Sequence, residues 1–166
     1  VRDGVAAQPF ARRADHEAIM QTPTDLTRTA SVHWEGDVSR GKGTVTAESG
    51  FVTAGYSFGT RFSGDPGTNP EELLAAAHAS CFTMALSLAL TRAGHPPTSI
   101  DTKAGVHLHR DDQGVTIPRI DLTTTVTAPG VEADEFQQLA NGAKQNCPVS
   151  RALSAVEIAL DARLNP

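Results

Sequence analysis

Residues 67–97 read GTNPEELLAAAHASCFTMALSLALTRAGHPP, and this stretch decides the fold. It opens on helix-start signals: Asn69 suits an N-cap, Pro70 the first helical position, and Glu71 and Glu72 the positive end of the helix dipole. Gly94 and Pro96 stop it. The 19 residues between Glu72 and Arg92 include no Asp, Glu, Lys or Arg, and their apolar positions run all the way round rather than along one stripe. Such a helix must be covered on every side. A membrane span competes on length. His78, Ser80, Thr83, Ser87, Thr91 and the many alanines argue against it, so no membrane partner is expected.

Working outward, the residues before the helix carry short strand patterns at Ser31–Trp34, Gly43–Ser49 and Tyr56–Phe62, joined through Gly36, Gly41 and Gly50 as an antiparallel meander. After it come two strands, about Lys103–Arg110 and Val115–Ala128, turning across DDQG, and then a second helix over Val131–Gln145. In NCPVSRAL, Pro148 disfavours helical geometry at Cys147 and is itself well placed to restart a helical turn. Val156, Ile158, Leu160, Ala162 and Leu164 alternate as one face of a half-buried strand. The order β-β-β-α-β-β-α-β predicts an α+β fold with an antiparallel sheet, a long buried central helix and a second helix. One short chain covers only part of that central helix, so a symmetric homodimer is expected.

Residues 1–27 lack a sustained apolar period and read as an N-terminal arm, leaving 28–166 as the single domain. The 166 residues suffice for a core that buries roughly 70% of the unfolded chain's surface without staples. A net charge of −5 and no basic cluster argue against a nucleic-acid partner. Residues 1–20 contain no apolar signal-peptide core, so a cytoplasmic protein is expected.

In a reducing compartment, two cysteines are more often catalytic, redox-sensing or inert than a permanent bridge. Cys81, in the middle of an apolar helix, could be no more than a small buried hydrophobe. Cys147, at a proline-broken helix start, is where backbone N–H groups favour a thiolate. A disulfide across the 66 positions between them would restrict the unfolded chain by about 4 kcal/mol, so a stabilising bridge also stays open. A zinc site lacks a CxxC, and nothing else in the sequence asks for a metal or cofactor.

Reactive cysteine chemistry needs an anion, and a thiol of pKa about 8.5 is only roughly 3% ionised at pH 7. Lowering it to about 6 takes roughly 3.4 kcal/mol, and one arginine about 4 Å away at an effective dielectric near 20 supplies on the order of 4. Arg61, leading into the helix, is the first candidate, with Arg92 and Arg151 as substitutes. His78, three residues before Cys81 on the same helix face, could donate to its sulfur or simply fill the core.

Taken in order, HWEGD (33–37), GKGTV (41–45), TNPEELLAAAHASCF (68–82), MALSLAL (84–90) and CPVS (147–150) resemble the OsmC/Ohr family of organic hydroperoxide reductases, over about residues 31–164. His78 before Cys81 resembles the OsmC branch. The resemblance implies an intertwined homodimer with two long central helices, and a thiol peroxidase acting on organic hydroperoxides. It assigns Cys81 as the attacking cysteine and Cys147 as the resolving one, with Arg61 and Glu71 completing the site. It also implies regeneration by an external dithiol, a lipoylated protein being one candidate. Glu71 and Cys81 are ten residues apart on one helix, about 15 Å along the axis, so a shared site would draw Glu71 from the partner subunit. Phe82, Met84 and Leu74 are the apolar residues expected to favour an alkyl substrate. The rival reading is a redox sensor whose disulfide forms once, without turnover.

Overall fold

The computed structural model describes residues 25–165; most of the expected arm, residues 1–24, lies outside them. The elements are β1 (Ala30–Glu35), β2 (Lys42–Ala47), β3 (Thr53–Ser57), α1 (Phe58–Phe62), α2 (Pro70–Arg92), β4 (Ser99–Asp111), β5 (Gly114–Thr127), α3 (Ala133–Asn146), α4 (Pro148–Ala152) and β6 (Glu157–Asn165). This is an α+β fold with two three-stranded sheets, ordered β1-β2-β3 and β4-β5-β6. The first is the expected antiparallel meander. In the second, β5 pairs antiparallel with β4 but parallel with β6, so this sheet is mixed. Alternation of side chains marks β6 as a strand but says nothing of its direction. The α3–α4 crossover that returns the chain to the starting end of the sheet sets it.

The strand expected over Tyr56–Phe62 is cut at Ser57, and Phe58–Phe62 is helical instead. A capping box causes the switch: Thr60 N–H donates to Ser57 Oγ at 3.2 Å, and Ser57 N–H donates to Thr60 Oγ1 at 2.9 Å. These reciprocal bonds outweigh the strand preference of Tyr56, Phe58 and Phe62.

Helix α2 begins and ends as expected. Glu72 N–H donates to the Asn69 side chain at 2.8 Å. At the other end His95 N–H reaches Leu90 O and Gly94 N–H reaches Thr91 O, with Gly94 at φ +91°, which is the double closure of a Schellman turn. One row of α2 is fully buried, namely His78, Phe82, Leu86 and Leu90 at successive i, i+4 positions. It packs on the second sheet and α3, in a core that includes Leu122, Val126, Phe136, Ala140 and Cys147. A hydroxyl chain ties the helix to β4 and β5, running from Thr83 to Thr102 at 2.8 Å and on to Thr124 at 3.0 Å. Over the outer edge of that sheet, Gln137 and Lys144 of α3 donate to the Ala162 and Ile158 carbonyls of β6.

Among the described residues, the remaining faces of α2 are only partly covered, and Met84 is 75% exposed. Among the described residues the first sheet makes no extended contact with the second sheet or with α2, and Val32 of β1 and Phe51 of the β2–β3 turn are exposed.

His78 is the polar member of the buried row. Burial holds its imidazole below the ordinary 6.5, so it is neutral at pH 7. The unfolded chain then binds a proton at a higher pH than the folded one. His78's contribution to stability is complete above 6.5 and is lost as pH falls from there through the folded value. Urea unfolding above and below pH 6.5 should show a steeper acid loss for the native chain than for His78→Gln. In the same assay Leu86→Ala, which opens a cavity in the fully packed row, should cost about 2–5 kcal/mol.

Candidate active site

Cys81 and Cys147 come together because α2 and the α3–α4 break pack on one another. Pro148 keeps Cys147 out of helical geometry (φ −60°, ψ 122°), so one residue closes α3 and opens α4. Cys147 is fully buried, Cys81 is half-buried against the same core, and both are free thiols close enough to influence each other.

Their surroundings push them in opposite directions. Burial raises the Cys81 thiol above its ordinary value; the Val149 N–H offsets part of this, and the neighbouring Cys147 adds to it. Burial also acts upward on Cys147. There the Ser150 backbone N–H, the Cys81 thiol, the Ser150 hydroxyl and the Val149 N–H outweigh it, and the thiol is held below its ordinary value. These groups act from within reach of the sulfur, although the thiol closes no strict N-cap hydrogen bond. Ser150 was not singled out in the sequence; its place three residues after a cysteine and one turn into a proline-started helix is the signal that would have found it.

Arg61 and Glu71 form a second pair. The β3–α1 corner puts Arg61 in the last turn of α1, and the link to α2 puts Glu71 in that helix's first turn. Arg61 Nε lies 3.1 Å from both carboxylate oxygens and Nη2 lies 2.5 Å from Oε1, a forked ion pair with the Glu71 side chain 11% exposed. Within one chain this pair stays at the start of α2, about 15 Å along the axis from Cys81. The two pairs do not meet in a single subunit, and the groups acting on Cys81 are Val149 and Cys147, not Arg61.

A hollow of about 100 Å³ lies beside Arg61, lined by Trp34, Val38, Tyr56, Phe58, Phe62 and Pro70 among others. The chain has one tryptophan, one tyrosine and six phenylalanines, and four of these eight rings line it. Gly43 explains part of GKGTV: a Cβ there would fall inside the envelopes of the Tyr56 and Trp34 rings, which meet over it with centroids 5.2 Å apart. The Arg61 guanidinium lies 5.3 Å from the centroid of the Phe62 ring.

The residues expected to form an alkyl pocket are divided. Phe82 points into the core with no exposure and Met84 faces outward, because successive helical residues do not share a face. His78 donates to or accepts from Ser150 Oγ at 2.8 Å, in the core rather than at the Cys81 sulfur.

The OsmC-like protein family model matches residues 62–161. Peroxiredoxin OsmC of Escherichia coli (strain K12) is 53% identical over 140 residues, covering 84% of this chain and 97% of that protein. The organic hydroperoxide resistance protein OhrA of Bacillus subtilis (strain 168) is 36% identical over 97 residues, covering 57% of this chain and 66% of that one. The crystal structure of an organic hydroperoxide resistance protein from Elizabethkingia anophelis superimposes with a TM-score of 0.69 at 28% identity, covering 87% of this chain and 100% of that one. A cysteine in the middle of a long apolar helix, a second at a proline-led turn beside it, and these matches lead to one conclusion: the chain belongs to the OsmC-like protein family.

Proposed function

We propose that this chain is a thiol-dependent peroxidase that reduces organic hydroperoxides to alcohols. The observation that carries the reading is the placement of Cys81 and Cys147 side by side, one reachable from outside and the other buried, in a chain 53% identical to a peroxiredoxin. Cys81 as thiolate attacks the terminal peroxide oxygen, the O–O bond breaks, and the alkoxide leaves with a proton as the alcohol. The product is a sulfenic acid at Cys81. Cys147 attacks that sulfur, water departs and a disulfide forms; an external dithiol reopens it by exchange. A cytoplasmic setting supplies such dithiols and keeps the resting enzyme reduced.

Burial alone leaves Cys81 a poor thiolate, so a cation has to come from elsewhere. An antiparallel homodimer is the proposed source. The open faces of α2 and the uncovered first sheet supply the surface, and the partner subunit would bring its own arginine and glutamate, held together as a fork, to the Cys81 of the first. The aromatic hollow beside Arg61 would arrive with them and offer an apolar seat for the alkyl group.

Peroxide consumption with excess dithiol separates turnover from a sensor's single oxidation. The native chain should consume cumene hydroperoxide continuously and Cys81→Ser should be inactive. Cys147→Ser should give a single burst and then accumulate sulfinic acid by mass spectrometry. A native chain that stops after one stoichiometric oxidation would overturn the enzyme reading.

Light scattering should give a dimer. A heterodimer with Cys81→Ser in one chain and Glu71→Ala in the other should keep half the activity, because both changes then fall in one composite site. Complete loss would mean that each site is built from a single chain.

A further inference from the structure

One buried polar cluster takes no part in the cycle above. His78 of α2 and Ser150 of α4 are both buried, and they meet at 2.8 Å between Nε2 and Oγ across 72 positions of sequence. Ser150 is also the third residue of the short helix that Cys147 opens, and its N–H and hydroxyl are among the groups that hold the Cys147 thiol below its ordinary value, although neither closes a strict hydrogen bond to the sulfur. The His78 ring is therefore hydrogen-bonded to the same short turn that begins at the second cysteine.

Hydrogen bookkeeping favours one direction for the His78–Ser150 bond. His78 Nδ1 is buried and has no hydrogen-bond partner among the described residues. If the Ser150 hydroxyl donated to Nε2, the ring proton would sit on Nδ1, where a buried N–H would be stranded, and the hydroxyl would have no hydrogen left for the sulfur. If Nε2–H donates to Oγ, Nδ1 keeps only a lone pair and the hydroxyl hydrogen turns to Cys147. An unmet buried acceptor is better tolerated than an unmet buried N–H. A charged imidazolium would strand the Nδ1–H as well, and the burial that keeps His78 neutral agrees with the second arrangement.

We propose that His78 and Ser150 are positioning residues for disulfide closure: His78 orients the Ser150 hydroxyl so that it donates to the Cys147 sulfur and stabilises it as the attacking thiolate. The inference rests on the peroxidase reading. In the step it serves, the Cys147 sulfur pair forms the S–S bond and the S–O bond of the Cys81 sulfenic acid breaks. The departing hydroxide combines with the proton Cys147 has released, giving water. The oxidising equivalent is the peroxide already consumed, so no other oxidant enters.

Two measurements test this. In a Cys81→Ser background only Cys147 remains to titrate, and its thiolate can be followed by ultraviolet absorbance. Ser150→Ala should raise the midpoint by about one pH unit, the scale of one hydrogen bond to an anion, while Ser150→Thr should leave it near the parent. His78→Gln, which keeps an N–H for Ser150, should stay near the parent, and His78→Leu should follow Ser150→Ala.

In the two-cysteine protein, rapid mixing with peroxide should show Ser150→Ala slowing disulfide closure about tenfold relative to sulfenic acid formation. An unmoved titration in Ser150→Ala, or a Ser150→Thr that behaves like alanine, overturns the inference; the serine series decides it even if His78→Leu does not fold. A native chain that forms no sulfenic acid would instead defeat the peroxidase reading, while the Cys147 titration still judges the His78–Ser150 pair.

Discussion

The apolar surface of α2 is the constraint that organises the rest. A helix with no charged side chain over 19 residues gains roughly 1.5–3 kcal/mol for each large side chain taken out of water, and a sheet can cover only one of its flanks. The second sheet and α3 take the row His78, Phe82, Leu86 and Leu90. Hydroxyls at Thr83, Thr102 and Thr124 align the helix on the strands beneath it, so it is fixed by direction as well as by area. Among the described residues, Met84 on the helix and Val32 on the first sheet stay exposed.

Local chemistry decided what the sequence could reveal. The bounds of α2 were legible because Asn69, Pro70 and Gly94 each act within a few bonds of the backbone they govern. So was the break at Cys147, since a proline restricts the residue before it whatever the fold. The segment Tyr56–Phe62 was misread because aromatic strand preference is spread along it, whereas the capping box of Ser57 and Thr60 is a two-residue signal that overrides it. The direction of β6 was not legible, because parallel and antiparallel strands share the same alternation.

Of the candidate site, the family resemblance named the members and their pairing, whereas residue spacing alone gave neither. Cys81 with Cys147 and Arg61 with Glu71 are each assembled by tertiary packing across gaps that no spacing rule spans. Phe82 and Met84 looked like neighbours of Cys81 because they are close in sequence; on a helix they face the core and the outside. His78 showed the opposite pattern. Its place beside Cys81 suggested the nearer sulfur, and its hydrogen bond runs instead to the residue flanking the farther one.

The unequal exposure of the two sulfurs also dictates how electrons would enter an oxidised site. Cys147 is sealed in the core, and Cys81 alone keeps a path to solvent. If the two form the proposed disulfide, an incoming reductant would make its mixed disulfide with Cys81 and leave Cys147 as the departing thiol. Exchange is faster when the departing thiol is the more acidic, and the sulfur that is sealed away is also the one that neighbouring N–H and O–H groups stabilise as an anion. In the proposed cycle, burial and polarity would give that bond a fixed orientation for reduction, with an entry side and an exit side.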